Sequence, residues 1–493
     1  MYFMETGKML IDGEWVLSSS SETRDIINPS RGCIICSVAE GTVKDTTRAI
    51  AAAKRAFYED GWSEITAKVK SEILNKFANL MEENIYELAR LETLNTGKAF
   101  VESEYDVYDS IEIIRYYAEL VMKVTEQTYE LSEKNIRGMI VREPIGVCAL
   151  IVAWNFPISL AIWKIAPALA AGNTIVFKPS EITPLSAIKM FELLEKAGFP
   201  KGVINLVMGS GATVGSELSE SMDVNKIAFT GGIATGRKIM QAAAGNIKAI
   251  TLELGGKSPN IIFADADFET AVDYGLYGMF YNQGEVCSAG TRILVEDTIY
   301  DKYLEALVNS AKKIKIGNGF DKGVKMGPVI SEDHMNKVLG YIEIGKAEGA
   351  TIALGGYRIM DPGYEKGFFI TPTIFTDTKP DMRIVQEEIF GPVVVIQKFH
   401  GEDEAIKLAN DTAYGLAAGI FTKDNEKALR VIKKVRAGIT WVNTYGPVYP
   451  EAPWGGYKQS GIGRELGTYG LDDFSEIKQI NINMNVTPTG WFE

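Results

Sequence analysis

From Val147 onward, short apolar runs alternate with amphipathic stretches, and that rhythm constrains the fold more than any other feature of the chain. Residues 174–178, 203–207, 226–229 and 251–254 each read as a short buried strand. Between them lie a helical stretch at 185–197, with Gly198 suited to its end, and another running from Gly231-Gly232 to about Ala244. A strand–helix alternation of this kind predicts a mostly parallel sheet covered by helices, with ligands at the carboxyl ends of its strands. A second α/β region spans 258–460, with strand candidates at 292–295, 393–396, 418–421 and 440–442 and helices at 300–313 and 334–348. Ahead of both, Asp12-Gly13-Glu14-Trp15 and Asn28-Pro29-Ser30-Arg31-Gly32 mark hairpins. Helical patterns follow from Asp45, from 73 to 88 and from 103 to 122. Residues 124–143 and the tail 474–485 alternate like strands; the tail has two candidate partners, that segment or the sheet of another subunit.

At 493 residues the chain exceeds what one hydrophobic core supports, so two lobes plus a small element are expected. Its 46% hydrophobic and 23% charged content is that of a soluble globular protein. With 51 basic and 64 acidic residues, the net charge is −13, which argues against a nucleic acid partner. A local site for a small phosphate ligand remains compatible with that total. The segment Met1–Lys8 lacks a basic region followed by an apolar one, so no secretory signal is expected. The most apolar stretch, 147–177, is interrupted by Asn155, Pro157, Lys164, Pro167 and Asn173, which predicts buried core and loop rather than a membrane span. Four scattered cysteines suit a reducing cytoplasm better than a disulfide scaffold. Cys33 and Cys36 have the spacing of a metal or redox pair, but no second pair follows, so they read as structural and no metal is expected. His334 and His400 stand alone and read as structural or surface residues.

Two glycine-bearing turns suggest a dinucleotide site. Gly209-Ser210-Gly211-Ala212-Thr213-Val214-Gly215 follows one strand and Gly231-Gly232 another; glycine allows close backbone approach, and helix amino ends offer free N–H groups. The first turn departs from the usual G-x-G-x-x-G spacing, so helix packing is an equal reading for those glycines. Lys178-Pro179-Ser180-Glu181 ends a strand. Its lysine can contact ribose or phosphate oxygens, and its carboxylate can accept from a ribose diol. A 2′-phosphate would be repelled by Glu181, which favours NAD over NADP, without exclusivity if the acid swings away.

Cys287 sits between Gly284-Glu285-Val286 and Ser288-Ala289-Gly290, a setting for an exposed turn where a helix amino end would stabilise a thiolate. Cys148, within Val147-Cys148-Ala149-Leu150, reads as buried strand. Thiol attack on a carbonyl places negative charge on oxygen, and the Asn155 side chain with the Cys287 N–H can donate to it. Glu253 follows a strand and precedes paired glycines, where a carboxylate can activate water. Glu388 suits a nicotinamide ribose, and Phe390 can wall the cofactor.

Together, Trp154-Asn155-Phe156-Pro157, Lys178-Pro179-Ser180-Glu181, Phe229-Thr230-Gly231-Gly232, Glu253-Leu254-Gly255-Gly256, Gly284-Glu285-Val286-Cys287, Glu388-Ile389-Phe390-Gly391-Pro392 and Pro453–Gly461 resemble the NAD(P)-dependent aldehyde dehydrogenase superfamily across essentially the whole chain. The resemblance implies Cys287 as nucleophile, Glu253 as general base and Asn155 as oxyanion donor. It assigns Lys178 and Glu181 to the adenosine ribose and Glu388 to the nicotinamide side. It extends the cofactor set to Trp154, Ser180, Gly211, Gly215, Phe229, Thr230, Gly231, Gly232, Leu254, Gly255 and Phe390, and associates Lys164 and Glu465 with a proton relay. Gly232 stands where many relatives have serine, and Glu285 where glutamine is common. The implied fold is α/β: a Rossmann-type cofactor domain (1–122 and 144–257), a catalytic domain (258–460) and a small β oligomerisation element (123–143, completed by the return at 461–493). A homodimer or homotetramer follows from the same resemblance.

The expected reaction is oxidation of an aldehyde to a carboxylic acid through a cysteine hemithioacetal, hydride transfer and thioester hydrolysis. A CoA-acylating or phosphorylating dehydrogenase and a silent structural relative are the alternatives. Motif position places Phe156, Trp163, Tyr281, Ser288 and Trp454 along the aldehyde channel. Aromatic walls suit an apolar chain or, by cation–π attraction, a quaternary ammonium. The run Ala452–Gly467 is similar to the betaine-aldehyde branch; aliphatic, aromatic and retinal-like aldehydes are the other substrate classes.

Overall fold

The computed structural model describes residues 6–492; part of the amino-terminal segment read for a secretory signal therefore lies outside the described residues. Two large sheets organise the chain. The first has eight strands in the order Gly461–Ile462, Ala249–Glu253, Lys226–Thr230, Val147–Ile151, Thr174–Lys178, Ile204–Leu206, Met9–Ile11 and Glu14–Val16. Its central five are parallel, while the outer strands run antiparallel. From Val147–Ile151 the chain steps through Thr174–Lys178 to Ile204–Leu206, then returns to Lys226–Thr230 on the other side. That reversal makes the carboxyl ends of Val147–Ile151 and Lys226–Thr230 a topological switch point, where open parallel sheets form a ligand crevice. Parallel strands covered on both faces are near-continuous apolar runs, and Val147–Ile151, Thr174–Lys178 and Lys226–Thr230 are buried at every position, their terminal lysines included.

The second sheet has seven strands: Thr351–Leu354, Thr373–Thr376, Val393–Phe399, Arg292–Glu296, Pro259–Ile262, Ala417–Phe421 and Ile439–Val442, all parallel but the first. A third, antiparallel sheet joins Ser475–Asn483, Ile136–Pro144 and Gln127–Glu130. Of the two partners open to the tail, its own segment is the one it takes, in register from Ser475 opposite Pro144 to Asn483 opposite Ile136. Both expected hairpins form, the second between Thr23–Asn28 and Cys33–Ala39. Cys33 and Cys36 are free thiols on that last strand.

Most differences from the sequence reading are local. The helix expected over 73–88 is two helices, Ala67–Glu82 and Ile85–Thr96. Asn84 separates them: its side chain donates to the Leu80 carbonyl at 2.8 Å and its backbone N–H to Met81 at 2.9 Å, which uses up orphan carbonyls of the first helix. Residues 147–177 form core, as expected: the helix Pro157–Ala171 is buried over all but its last residue. No helix among the described residues is long and apolar enough to cross a membrane.

Candidate active site

Five parallel strands bring the sequence-picked residues of the first half to one edge. Val147–Ile151 leads to Trp154, Asn155 and Phe156; Thr174–Lys178 ends on Lys178 and leads to Ser180 and Glu181. Ile204–Leu206 leads to Gly211 and Gly215, Lys226–Thr230 to Gly231 and Gly232, and Ala249–Glu253 ends on Glu253, ahead of Leu254 and Gly255. Glu253 is thus the last strand residue, paired with Gly461 and Thr230, rather than a residue beyond the strand. The other sheet presents its amino ends. Cys287 and Ser288 precede Arg292–Glu296, and Glu388 and Phe390 precede Val393–Phe399.

Around Lys178 the polar groups converge. Its side chain is buried and, among the described residues, donates only to the Pro179 carbonyl, at 3.0 Å. Burial pulls its amine down to about 8, against the attraction of Glu181 and Glu40. Glu181 accepts from the Gly211 N–H at 3.2 Å, so this acid and the first glycine turn are neighbours. Glu40, which no sequence motif marked, accepts from the Ser210 N–H at 3.0 Å and pairs with Arg24 at 2.6 Å. The turn Gly211–Gly215 is a single wide π-type turn running into the short helix Ser216–Glu220, which explains its departure from the usual glycine spacing. A Cβ added at Gly211, Gly215 or Gly232 would meet no atom within 4 Å, so the space in front of these backbones is open. Packing therefore does not require glycine at these three positions. Gly231, by contrast, packs against Phe229, whose ring a Cβ there would strike, and its N–H donates to the Glu253 carbonyl at 3.0 Å.

Cys287 is half-buried on a turn. A strand follows this turn, not the helix whose amino end was expected to stabilise the thiolate. Burial, then the charges of Glu253 and Glu388, push the thiol up to about 12, while the N–H groups of Ser288 and Cys287 itself pull it down. Glu253 is buried, and its Oε1 has no hydrogen-bond partner among the described residues. Burial first, then the charge of Glu465, holds its carboxyl well above the usual range. A carboxyl kept neutral repels the thiolate less, so the two titrations are linked. Asn155 is buried and donates from Nδ2 to the Glu285 carbonyl at 3.0 Å, while its own carbonyl accepts from Asn282 at 3.0 Å. One amide hydrogen is thereby fixed and a second remains to be given.

Lys164 is fully buried, bonded to Glu465 and, at 2.6 Å, to Thr230 Oγ1. The pair lies close enough to Glu253 for its charges to act on that carboxyl. Glu388 accepts from the Gly256 N–H at 3.0 Å; burial raises it, while that bond, Lys337 and Lys257 lower it. The main chain is close-packed here: a Cβ on Gly255 would overlap the Glu388 carboxylate, and one on Gly256 the Cys287 carbonyl. Phe390 adopts a left-handed φ of 64°, a strain of about 1–3 kcal/mol for a non-glycine residue. The aromatic residues fall into two groups. Phe156 and Tyr281 stack at 6.4 Å, whereas Trp163 and Trp454 meet edge-on at 5.2 Å and continue to Trp441. Ser288 is buried, and its carbonyl accepts from Tyr445 at 2.8 Å.

Two neighbours of this site received no role from the sequence, Glu285 being noted only as a departure from the common glutamine and His334 being read as structural or surface. Glu285 accepts from the Ile330 N–H at 2.9 Å and from Gln283 at 3.3 Å, and burial raises it to about 8. His334 is packed between Trp154 and Phe390. A histidine 47 positions beyond Cys287, outside every motif, gives no signal in the sequence.

The profile of the aldehyde dehydrogenase family matches residues 15–480. Betaine aldehyde dehydrogenase of Bacillus subtilis is 52% identical over 484 residues, covering 98% of this chain and 99% of that protein. An aldehyde dehydrogenase of Agaricus bisporus is 46% identical, covering 97% of this chain and 95% of its own. The crystal structure of betaine aldehyde dehydrogenase from Staphylococcus aureus in complex with NAD+ superposes with a TM-score of 0.98 at 50% identity, over 99% of this chain and 97% of that one. With one family profile over nearly its full length and one fold shared with solved members, the chain belongs to the aldehyde dehydrogenase family.

Proposed function

We propose that this protein oxidises an aldehyde to its carboxylic acid with NAD, using Cys287 as nucleophile, Asn155 as oxyanion donor and Glu253 as general base. One observation carries this reading: the Asn155 amide is anchored on the carbonyl two residues ahead of the half-buried Cys287, whose thiol feels the buried carboxyl of Glu253. Cys287 gives up its thiol proton to water as its sulfur bonds to the aldehyde carbon; the negative oxygen that results accepts from Asn155 and the Cys287 N–H, then re-forms the carbonyl as the carbon gives up its hydride, leaving a thioester on Cys287. Bound NAD supplies the hydride acceptor. Glu253 takes a proton from water as that water attacks the thioester, and the acid leaves with Cys287 restored. The Lys164–Glu465 pair offers a buried path by which Glu253 returns its proton.

The residues at the strand ends fit the cofactor. The open space before Gly211, Gly215 and Gly232 admits a pyrophosphate, and Lys178 and Glu181 suit the adenosine ribose. Glu388, Phe390, Trp154, Phe229, Thr230, Leu254 and Ser180 complete the set. Because Glu181 presents a carboxylate there, a 2′-phosphate is repelled, and kcat/KM should be higher with NAD than with NADP. Equal or reversed efficiency would remove Glu181 from the ribose.

For the substrate, betaine aldehyde is the leading choice, supported by the likeness to betaine aldehyde dehydrogenases of two organisms. Phe156, Tyr281, Trp163 and Trp454 supply aromatic faces for an ammonium, each worth about 0.5–2 kcal/mol. One face of Phe156 already carries the Lys98 ammonium, 4.1 Å from the ring centre. We further read the chain as a dimer or dimer of dimers in the reducing cytoplasm, a setting that keeps the Cys287 thiol unoxidised.

The deciding experiment is Cys287→Ala. NADH formation from betaine aldehyde should vanish while NAD still binds; normal turnover would refute the assignment. A kcat/KM panel over betaine, aliphatic, aromatic and retinal-like aldehydes ranks the substrate classes, and betaine aldehyde should lead.

A further inference from the structure

His334 opens the helix Glu332–Ala347, where its backbone N–H donates to the capping Ser331 hydroxyl at 3.2 Å. Its ring points inward and is almost enclosed. Nε2 lies 2.5 Å from the Phe390 carbonyl; since a carbonyl only accepts, that nitrogen carries the hydrogen. The ring packs edge-on against Trp154 at 5.1 Å, and Trp154 in turn meets Phe390 at 5.2 Å. The same Nε2 is 3.7 Å from Glu285 Oε1, the acid two residues ahead of Cys287. Burial pulls the imidazole down to about 4, so near neutrality it is the uncharged donor this geometry requires. Phe390 holds a left-handed backbone conformation, which persists only where surrounding bonds enforce it. The bond from His334 is on the carbonyl of that residue. On the facing loop, Gly327 and Ile330 donate to Gln283 and Glu285, at 3.1 and 2.9 Å, and tie the helix entry to the segment before the nucleophile.

We propose that His334 is a positioning residue for the nicotinamide half of the cofactor, fixing Phe390 and Trp154 against each other and against the Glu285–Cys287 segment. This rests on the reading that Trp154 and Phe390 wall the cofactor. His334 acts through them and needs no contact with the reacting atoms. The adenosine half, at Lys178, Glu181 and Gly211, lies at other strand ends and does not share these bonds.

The test compares His334→Ala and His334→Gln by quenching of tryptophan fluorescence with NAD and, separately, with AMP, which carries only the adenosine half. Losing one buried hydrogen bond should weaken NAD binding about five- to tenfold and raise the KM for NAD alike, with kcat changed less. AMP affinity should stay at the wild-type value. The glutamine retains an N–H donor of similar reach and should recover most of the loss. Should His334→Ala fold poorly, AMP binding falls together with NAD binding, and His334→Gln then decides by its NAD-to-AMP ratio. Unchanged NAD affinity in the alanine variant, or parallel loss of NAD and AMP in both variants, overturns the proposal. Wild-type protein that binds no NAD would instead overturn the function on which it stands.

Discussion

Glu253 must lose a proton to act as a base, and its surroundings resist that loss. Burial and the charge of Glu465 both favour the neutral acid, so the deacylating form gains population as pH rises. Glu253→Gln should therefore lower steady-state turnover by about 10²–10⁴-fold, leave a first burst of NADH, and flatten the rise of rate with pH. A variant with the wild-type pH profile would take the base role from this residue. Glu285 offers a stability test with a definite sign. Its folded-state pKa is about 8 against an ordinary 4.5, so the folded chain keeps a proton that the unfolded chain releases. Its contribution is present below the ordinary value and is lost as pH rises toward the folded one. Urea midpoints of the wild type should thus fall relative to those of Glu285→Gln between about pH 5 and pH 8. Glu92 and Glu102, buried carboxyls raised to about 7 and about 8, are common to both proteins and cancel in the difference. Cys287 was legible because it sits in a run of small and polar residues unlike core sequence, and Glu253 and Asn155 because each is a polar residue at or just past the end of an apolar strand run. Glu285, His334 and Glu40 were not, since their roles depend on which distant backbone groups they meet after folding.

Strand ends do more than carry side chains here; they bring two backbones into contact. Gly256 lies against the Cys287 carbonyl, and its N–H holds Glu388. In Gly256→Ala the new Cβ would press on main chain, which yields less readily than the tip of a side chain. An ångström of displacement at the thiol is enough for a loss of about 10²-fold in kcat/KM, and the same variant should release Glu388 from its amide. Wild-type kinetics in a folded Gly256→Ala protein would show that this contact does not position the nucleophile. Element positions in the α/β halves were readable because apolar runs of strand length, bounded by glycine, have few other folded outcomes. Helix Leu185–Ala197 and its Gly198 end match the expected positions, with Gly198 at φ 103°. The turn at Asn282, Gln283 and Gly284 was not readable: three successive left-handed residues, two of them not glycine, are held by tertiary bonds such as Asn282 to Asn155 and Gln283 to Gly327. Local propensity disfavours that conformation, so no local pattern announces it.

Across the whole molecule, the small sheet is the element least able to stand alone. Ser475–Asn483 is exposed along nearly its entire length on both faces, and Gln127–Glu130 is exposed throughout. Ile477 is 69% accessible on one face, and Ile482 is 41% accessible on the other. Three strands without a covered face are marginal in water, because backbone ordering is not offset by apolar burial. The seven-residue spacer between Asn483 and Trp491 ends in two further exposed aromatics, Trp491 and Phe492, so the apolar surface is concentrated at this end of the chain. A second copy that covers either face would bury one of these isoleucines and complete the sheet's packing. Light scattering should then report a dimer or a dimer of dimers. Replacing Ile477 and Ile482 together by lysine should shift the mass toward the monomer without abolishing NAD binding, whose proposed residues all lie on the other two sheets and their loops. Thermal unfolding of that variant should become less dependent on protein concentration, since less of its stability derives from association. A wild-type mass equal to one chain at micromolar concentration, with the sheet protected from hydrogen exchange, would mean that the sheet is stable by itself and that no partner surface is needed.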